Sequence, residues 1–371
     1  VTRYAPLLLL LTAGCARTPL PAEGPPWPTG PVLVRKFTLT GVTGPADDTG
    51  IAGRLDHMAY DPAAGRLYVA GLAHGSLQVI DLRAGARAGS VNGLEQPQGV
   101  GVGVGPGVGR VYVATGKDGR VRAFDARSLN ALGSAPVGDD ADNVRVAADG
   151  TVWISFGGPG PGGLASFDPL TLAPGPVVKS PRMPEGFRLD PAGGRAFVNL
   201  PAGKRSAADG SVVALKLPGG EVLWETKLVG RAGNFPMAYD ADRGRVFIAT
   251  RRPAYLIALD AADGKVLGEC ECPAESDDLF YDAPTKRVAV LGGGSPPTAT
   301  GPGGVGASLD LFALDGDGRP TRVGSNPLPP HARTGAHAPD LRLIFVGVPA
   351  TAESPAEVRE YRLPAPPPPP H

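Results

Sequence analysis

DHMAYDPAAGRLYVA, residues 56–70, returns almost unchanged as NFPMAYDADRGRVFIA at 234–249. The word MAYD stands at Met58–Asp61 and again at Met237–Asp240. In the run that follows it, Leu67 and Val69 face one way and Tyr68 the other, the period of two that marks a β-strand. Between the two runs Asp61 opens a turn, Pro62 presets φ, and Gly65 takes the position that needs positive φ. Two strands and a tight turn make a hairpin, and its reappearance marks the hairpin as a module.

The second run recurs along the chain as GRLYVA (65–70), GRVYVA (109–114), GTVWIS (150–155), GRAFVN (194–199), GRVFIA (244–249), KRVAVL (286–291) and LIFVG (343–347). The copies lie roughly 41 to 56 residues apart, spacings within or just beyond those of propeller repeats. Each unit adds a third run, such as SLQVIDL or YLIALDA, and then a weaker fourth. The last unit, ending at Leu363, has room for three strands only, while PVLVRKFTLTGV (31–42) stands unmatched before the first. A ring accounts for both, because closing it with a strand from the other terminus removes the open sheet edge. The expected fold is all-β: one seven-bladed β-propeller over residues 31–363, built of four-stranded antiparallel blades, with the N-terminal strand completing the last blade. MAYD is then an inner strand beside the axis, used in blades one and five.

GRLYVA, GRVYVA and GRVFIA, each followed by a glycine-containing turn and a strand of V-I-D type, resemble the YVTN-type repeats of bacterial envelope propellers, relatives of the NHL propellers. The resemblance covers nearly all of 31–363. It implies the fold but says little about activity, since propellers host many unrelated functions.

Composition narrows the function classes. The formal net charge is zero, so the basic footprint of a nucleic-acid binder is missing. Gly (54) and Pro (42) are abundant, yet 42% of residues are apolar and the glycines recur at fixed offsets, which argues for a folded chain. Three cysteines do not make a disulfide framework. Cys270 and Cys272 read as small apolar side chains on an outer strand, with a soft-metal or redox site as the alternative. TRYAPLLLLLTAGCA reads as an export signal over 1–15, too short to span a bilayer. LTAGC resembles the lipobox of bacterial lipoproteins, with Thr12 where Leu is usual, and makes Cys15 the lipidation site. Ala16 replaces the Asp that retains lipoproteins at the inner membrane, which favours the outer membrane. Residues 16–30 form a Pro-rich tether and 364–371 a Pro-rich disordered tail. The expectation is an exported monomer, held at the cell envelope by a lipid anchor.

Chemistry is expected where the chain enters each inner strand, at the mouth of the central channel. Aligning those entries gives Asp56-His57, Gln98, Asp142-Asn143, Glu185, Asn234, Asp277-Asp278 and Arg333. With inner strands otherwise small and apolar, this ring carries an excess of carboxylates over Arg333. Crowded carboxylates raise one another's pKa or recruit a cation. Asp56, Asn143, Glu185 and Asp277 could therefore hold Ca²⁺ through oxygen ligands, and His57 could serve a transition metal or a proton transfer. The same Asp and Asn residues could instead cap free backbone N–H groups at strand starts. Among the remaining candidates, His74 reads as a loop residue, His331 and His337 bracket Arg333, and His337 reads as a packed core residue. The insertions 201–210 and 292–308 read as surface loops between the second and third strands of blades four and six. The glycine run 99–107 is no dinucleotide fingerprint, because no helix follows it.

No metalloprotease, nucleophile-elbow or P-loop pattern occurs. Two functions follow. The first is a non-enzymatic envelope binding protein or scaffold, with no cofactor, whose channel-mouth face takes a protein, peptide, glycan or small ligand. The alternative is a Ca²⁺-dependent hydrolase or lactonase, similar to gluconolactonase-like propellers. That family places its Glu in an EGP-x-W-like motif in blade one, where this chain has Asp56-His57; the EGPPW at 23–27 precedes the ring.

Overall fold

The computed structural model describes residues 30–46, 50–158, 162–203, 208–294 and 306–365. The expected signal, Cys15 and nearly all of the tether lie outside the described residues, as does most of the tail. Among the described residues the strands form seven four-stranded antiparallel sheets in a ring. The MAYD segments are the innermost strands of blades one and five, as the repeat implies. The only helical turn among the described residues is a short 3₁₀ segment, Gly105–Gly107, in the glycine run.

Closure follows the expected route. Val32–Leu39 pairs antiparallel with Ala356–Arg362 and completes the sheet of Gly335–Ala338 and Leu343–Val348. Phe37 lies opposite Val358 and Leu39 opposite Ala356. Arg35 clasps buried Glu360 with Nε at 3.0 Å and Nη2 at 2.8 Å from one carboxylate oxygen.

The alternation in RLYVA now has a physical meaning. Leu67 and Val69 pack into the cluster shared with blade seven, whereas Tyr68 and Ala70 pack into the cluster shared with blade two. Both faces of each blade are therefore buried. Seven such clusters lie between successive blades, one per junction. Each fully buried Val, Leu or Phe contributes about 1.5–3 kcal/mol, so these junctions supply the main stabilisation.

Polar latches cross the same junctions. The Arg after the repeat's turn residue donates to backbone carbonyls in the next blade's outer turn: Arg66 to Ala126, Arg110 to Leu170, Arg195 to Ala261 and Arg245 to Gly316. Tyr68 and Tyr112 add buried hydroxyl bonds to Ala126 and Pro169, at 2.7 and 2.8 Å. The G-R-x-Y spelling thus encodes a blade-to-blade clasp as well as a strand.

Candidate functional site: the channel mouth

The chain reaches the axis through a repeated backbone step. Two residues before the axial position, the backbone is left-handed at Gln96, Asp140, Glu275 and His331, with φ of 55°, 51°, 53° and 66°. Gly233 does the same in blade five, with φ 71°. Such conformations cost non-glycine residues energy and persist where the surrounding structure imposes them. Inner strands also crowd one another here. A Cβ on Gly186 would sit 2.3 Å from the Phe235 carbonyl oxygen, so only glycine allows that approach.

All seven blades contribute to one cavity of about 70 Å³ at the mouth. Its volume suits a few waters or one small group. Nine expected residues line it: Asp56, His57, Gln98, Asp142, Asn143, Glu185, Asp277, Asp278 and Arg333. Asn234 does not. Fully buried between blades four and five, it donates to Asn199 Oδ1 at 3.0 Å and to the Ser211 carbonyl at 2.8 Å. Phe235 and Pro236 take the fifth blade's place in the lining.

The expected carboxylate excess is corrected by three arginines. Arg54 lies two residues before the axial position, Arg251 follows the second strand of blade five, and Arg145 sits within the inner strand of blade three. Four arginines and His57 therefore face four aspartates and Glu185. The expectation that inner strands are otherwise small and apolar fails at Arg145 and at Arg188, the matching residue of blade four.

Two knots of charge organise the cavity. Asp277 receives Arg333 Nε at 2.8 Å, Arg54 Nη2 at 3.6 Å and the Arg251 guanidinium. Glu275, at the rim, adds contacts to Arg251 at 3.5 Å and Arg333 at 3.8 Å. Burial pushes the Asp277 carboxyl up, but the three guanidiniums outweigh it and hold the group well below the usual carboxylate range. The second knot surrounds His57. Its Nδ1 lies 3.2 Å from Asp278, and its Nε2 lies 3.8 Å from Asp142 and 3.9 Å from Asp56. Burial opposes the imidazolium, yet Asp278, Asp56 and Asp142 prevail and raise its pKa to about 10. Burial also lifts the Asp56 carboxyl above its ordinary value, against the pull of Arg54 and His57.

At three strand entries the backbone N–H already has a partner within its own blade. The backbone N–H groups of Asp56, Asp142 and Glu185 donate to the Ala70, Ser155 and Asn199 carbonyls of their own blades. Asp278 does cap a neighbour, accepting from the Gly335 N–H at 2.9 Å. The proposed calcium set fits poorly. Among the described residues no three His, Cys, Asp or Glu side chains converge as metal ligands. Asp277 faces guanidiniums, and Asn143 Oδ1 accepts from Arg145 at 3.1 Å.

The lesser candidates lie apart from the cavity. His74 is exposed and bonds Ser76, and His331 is an exposed loop residue. His337 pairs with Asp282 of blade six at 3.2 Å, so it links two blades rather than filling an apolar core. Cys270 and Cys272 are free thiols; burial pushes the Cys272 thiol up to about 12, which suits an inert side chain.

Comparison with known proteins adds a partial match. Residues 208–287 match the family described as outer membrane protein assembly factor BamB. The chain carries a BamB-type repeat. That stretch runs from the third strand of blade four to the start of the second strand of blade six. No curated protein matches the sequence. Among solved structures, hydrazine synthase of Kuenenia stuttgartiensis is similar at 15% identity and a TM-score of 0.66, over 83% of this chain and 93% of that one. A chain of the mitotic checkpoint complex gives 14% and 0.68, over 98% and 99%. The Cps50 (Swd1) propeller domain of Myceliophteria thermophila gives 9% and 0.63, over 84% and 96%. At such identities the likeness concerns the fold alone.

Proposed function

We propose that the protein is a non-enzymatic binding protein or scaffold of the bacterial cell envelope, a YVTN-like propeller whose channel mouth receives a peptide, glycan or small polar ligand. The observation that carries the reading is the convergence of all seven blades on one small cavity of matched charges. Fixed, paired charges recognise a polar group without reorganising. They suit acid–base catalysis less well, because His57 is held protonated far above neutral pH and Asp277 is held ionised. The BamB-type repeat and the lipobox-like LTAGC support the envelope address.

The test has two parts. Fractionation of cells making the full chain is expected to find it with membranes, and Cys15→Ala is expected to release it; a wild-type chain confined to the cytosol overturns the address. Calorimetric titration with peptide and oligosaccharide panels is expected to find ligands whose binding is lost in Asp142→Asn or Glu185→Gln. Ligands indifferent to both substitutions would remove the mouth from the reading. The calcium-hydrolase alternative gains no support from the donor geometry, and EDTA is expected to leave the melting temperature unchanged.

A further inference from the structure

Two arginines of the channel have no acidic partner. Arg145 and Arg188 occupy the same register position on neighbouring inner strands, opposite Trp153 and Phe197 respectively. Neither forms an ion pair among the described residues, although the other three arginines of the cavity lining do, and Arg188 lies outside that lining. Arg145 donates to its own Val144 carbonyl at 2.7 Å and to Asn143 Oδ1 at 3.1 Å. Its Nε is buried with no hydrogen-bond partner. The guanidinium packs 5.6 Å from the Phe187 ring of the next blade. Arg188 donates to the Phe187 carbonyl at 2.9 Å. Both side chains are partly buried. A part-buried guanidinium with spare donors and no carboxylate at ion-pair distance is costly, and these two repel each other.

We propose that Arg145, in the cavity lining, and Arg188, in the same register on the next inner strand, form a binding site for a small monoanionic carboxylate. The inference rests on the reading of the mouth as a ligand site and names the ligand's chemistry. A planar guanidinium fork matches a carboxylate, and two forks on adjacent strands offer one from each side. Both forks keep donors that no carboxylate takes, and a monoanion placed between them accepts those donors. Asp142 and Asp278 stand within electrostatic reach of Arg145, and they disfavour a second negative charge on the ligand. A carboxylate is thereby selected over phosphate, which carries more than one negative charge at neutral pH. The cavity volume of about 70 Å³ admits the carboxylate end of a ligand, either a free small acid or a peptide C-terminus.

Titration calorimetry on the full chain, with acetate, inorganic phosphate, a short peptide acid and the same peptide as its C-terminal amide, tests the site. Acetate and the peptide acid are expected to bind and raise the melting temperature. Phosphate is expected to bind at least tenfold more weakly, and the amide not at all. If only acetate binds, the source is a free acid; if the peptide acid binds more tightly, it is a C-terminus. Arg145→Met and Arg188→Met, which keep the stem and remove the charge, are each expected to weaken binding at least tenfold while still folding. Equal binding of peptide acid and amide, or binding that survives both substitutions, overturns the site. If no carboxylate binds but neutral sugars or peptides do, with sensitivity to Asp142→Asn, this inference fails and the proposed function stands. If nothing binds and both Met variants are simply more stable than wild type, the arginines are strained structure and both readings fall.

Discussion

His57 carries its charge because three carboxylates surround it, and that makes it a pH probe. Its folded-state pKa of about 10 lies above the ordinary 6.5. The linked stability is therefore fully present below about 6.5 and is lost as pH rises through about 10. Sharing of the carboxylates among several partners brings its size to the order of 2 kcal/mol. Denaturant melts of wild type and His57→Gln at a series of pH values are expected to show a gap that closes over that range; a gap independent of pH would contradict the ion cluster. Asp277 shows the opposite sign, since its depressed pKa keeps its contribution intact until pH falls below the usual carboxylate range. Removing it leaves Arg54 only Asp56, and leaves Arg251 and Arg333 to share Glu275. Asp277→Ala is expected to cost about 3–5 kcal/mol, and adding Arg333→Met is expected to recover part of that loss, a coupling read from a double-mutant cycle. The axial residues were legible in the sequence because all but one stand at the same offset from an inner strand. Arg54, Arg145 and Arg251 break that offset: one precedes it, one lies inside the strand, and one arrives from a different turn. Asn234 stands one residue before the common offset, and its amide bonds Asn199 instead of lining the cavity.

At the level of the hairpin, the repeat's turn carries its own record of strain. The residue before the second strand has positive φ at Gly65, Gly109, Gly194 and Gly244, and also at Lys286 (φ 55°) and Arg342 (φ 56°); in blade three it is Gly150, one residue earlier. Nothing lies within 4 Å of a Cβ built on Gly194, so Gly194→Ala isolates the backbone term. It is expected to destabilise by about 1–2 kcal/mol. Lys286→Gly reverses the sign: relief of the left-handed lysine outweighs the extra freedom of the unfolded chain, for a gain of up to about 1 kcal/mol. Chemical denaturation reads both, and equal effects of the same sign would exclude the strain account. The strands themselves were readable because alternation and turn chemistry agree at every copy. What the pattern hid is that both strand faces are buried, since Tyr68 looks amphipathic until its hydroxyl is seen bonded to Ala126 in the next blade.

For the whole molecule, closure decides whether seven blades behave as one body. The strand Val32–Leu39 places Phe37 and Leu39 in the cluster between blades seven and one, and its Arg35 neutralises a buried Glu360. Those two side chains contribute about 3–6 kcal/mol, a large part of the total stability of an ordinary domain, about 5–15 kcal/mol. Without them Glu360 is a buried charge with no counter-ion, and Ala356–Arg362 becomes an open edge that pairs with other chains. A chain beginning after Leu39 is therefore expected to lose cooperative unfolding and to associate, as read by melting curves and size-exclusion chromatography. A synthetic peptide spanning 31–42 is expected to restore a monomer by re-forming the pairing of Phe37 with Val358. If the truncated chain stays monomeric and melts like wild type, the seven junctions are independent and the terminal strand is ornament rather than latch.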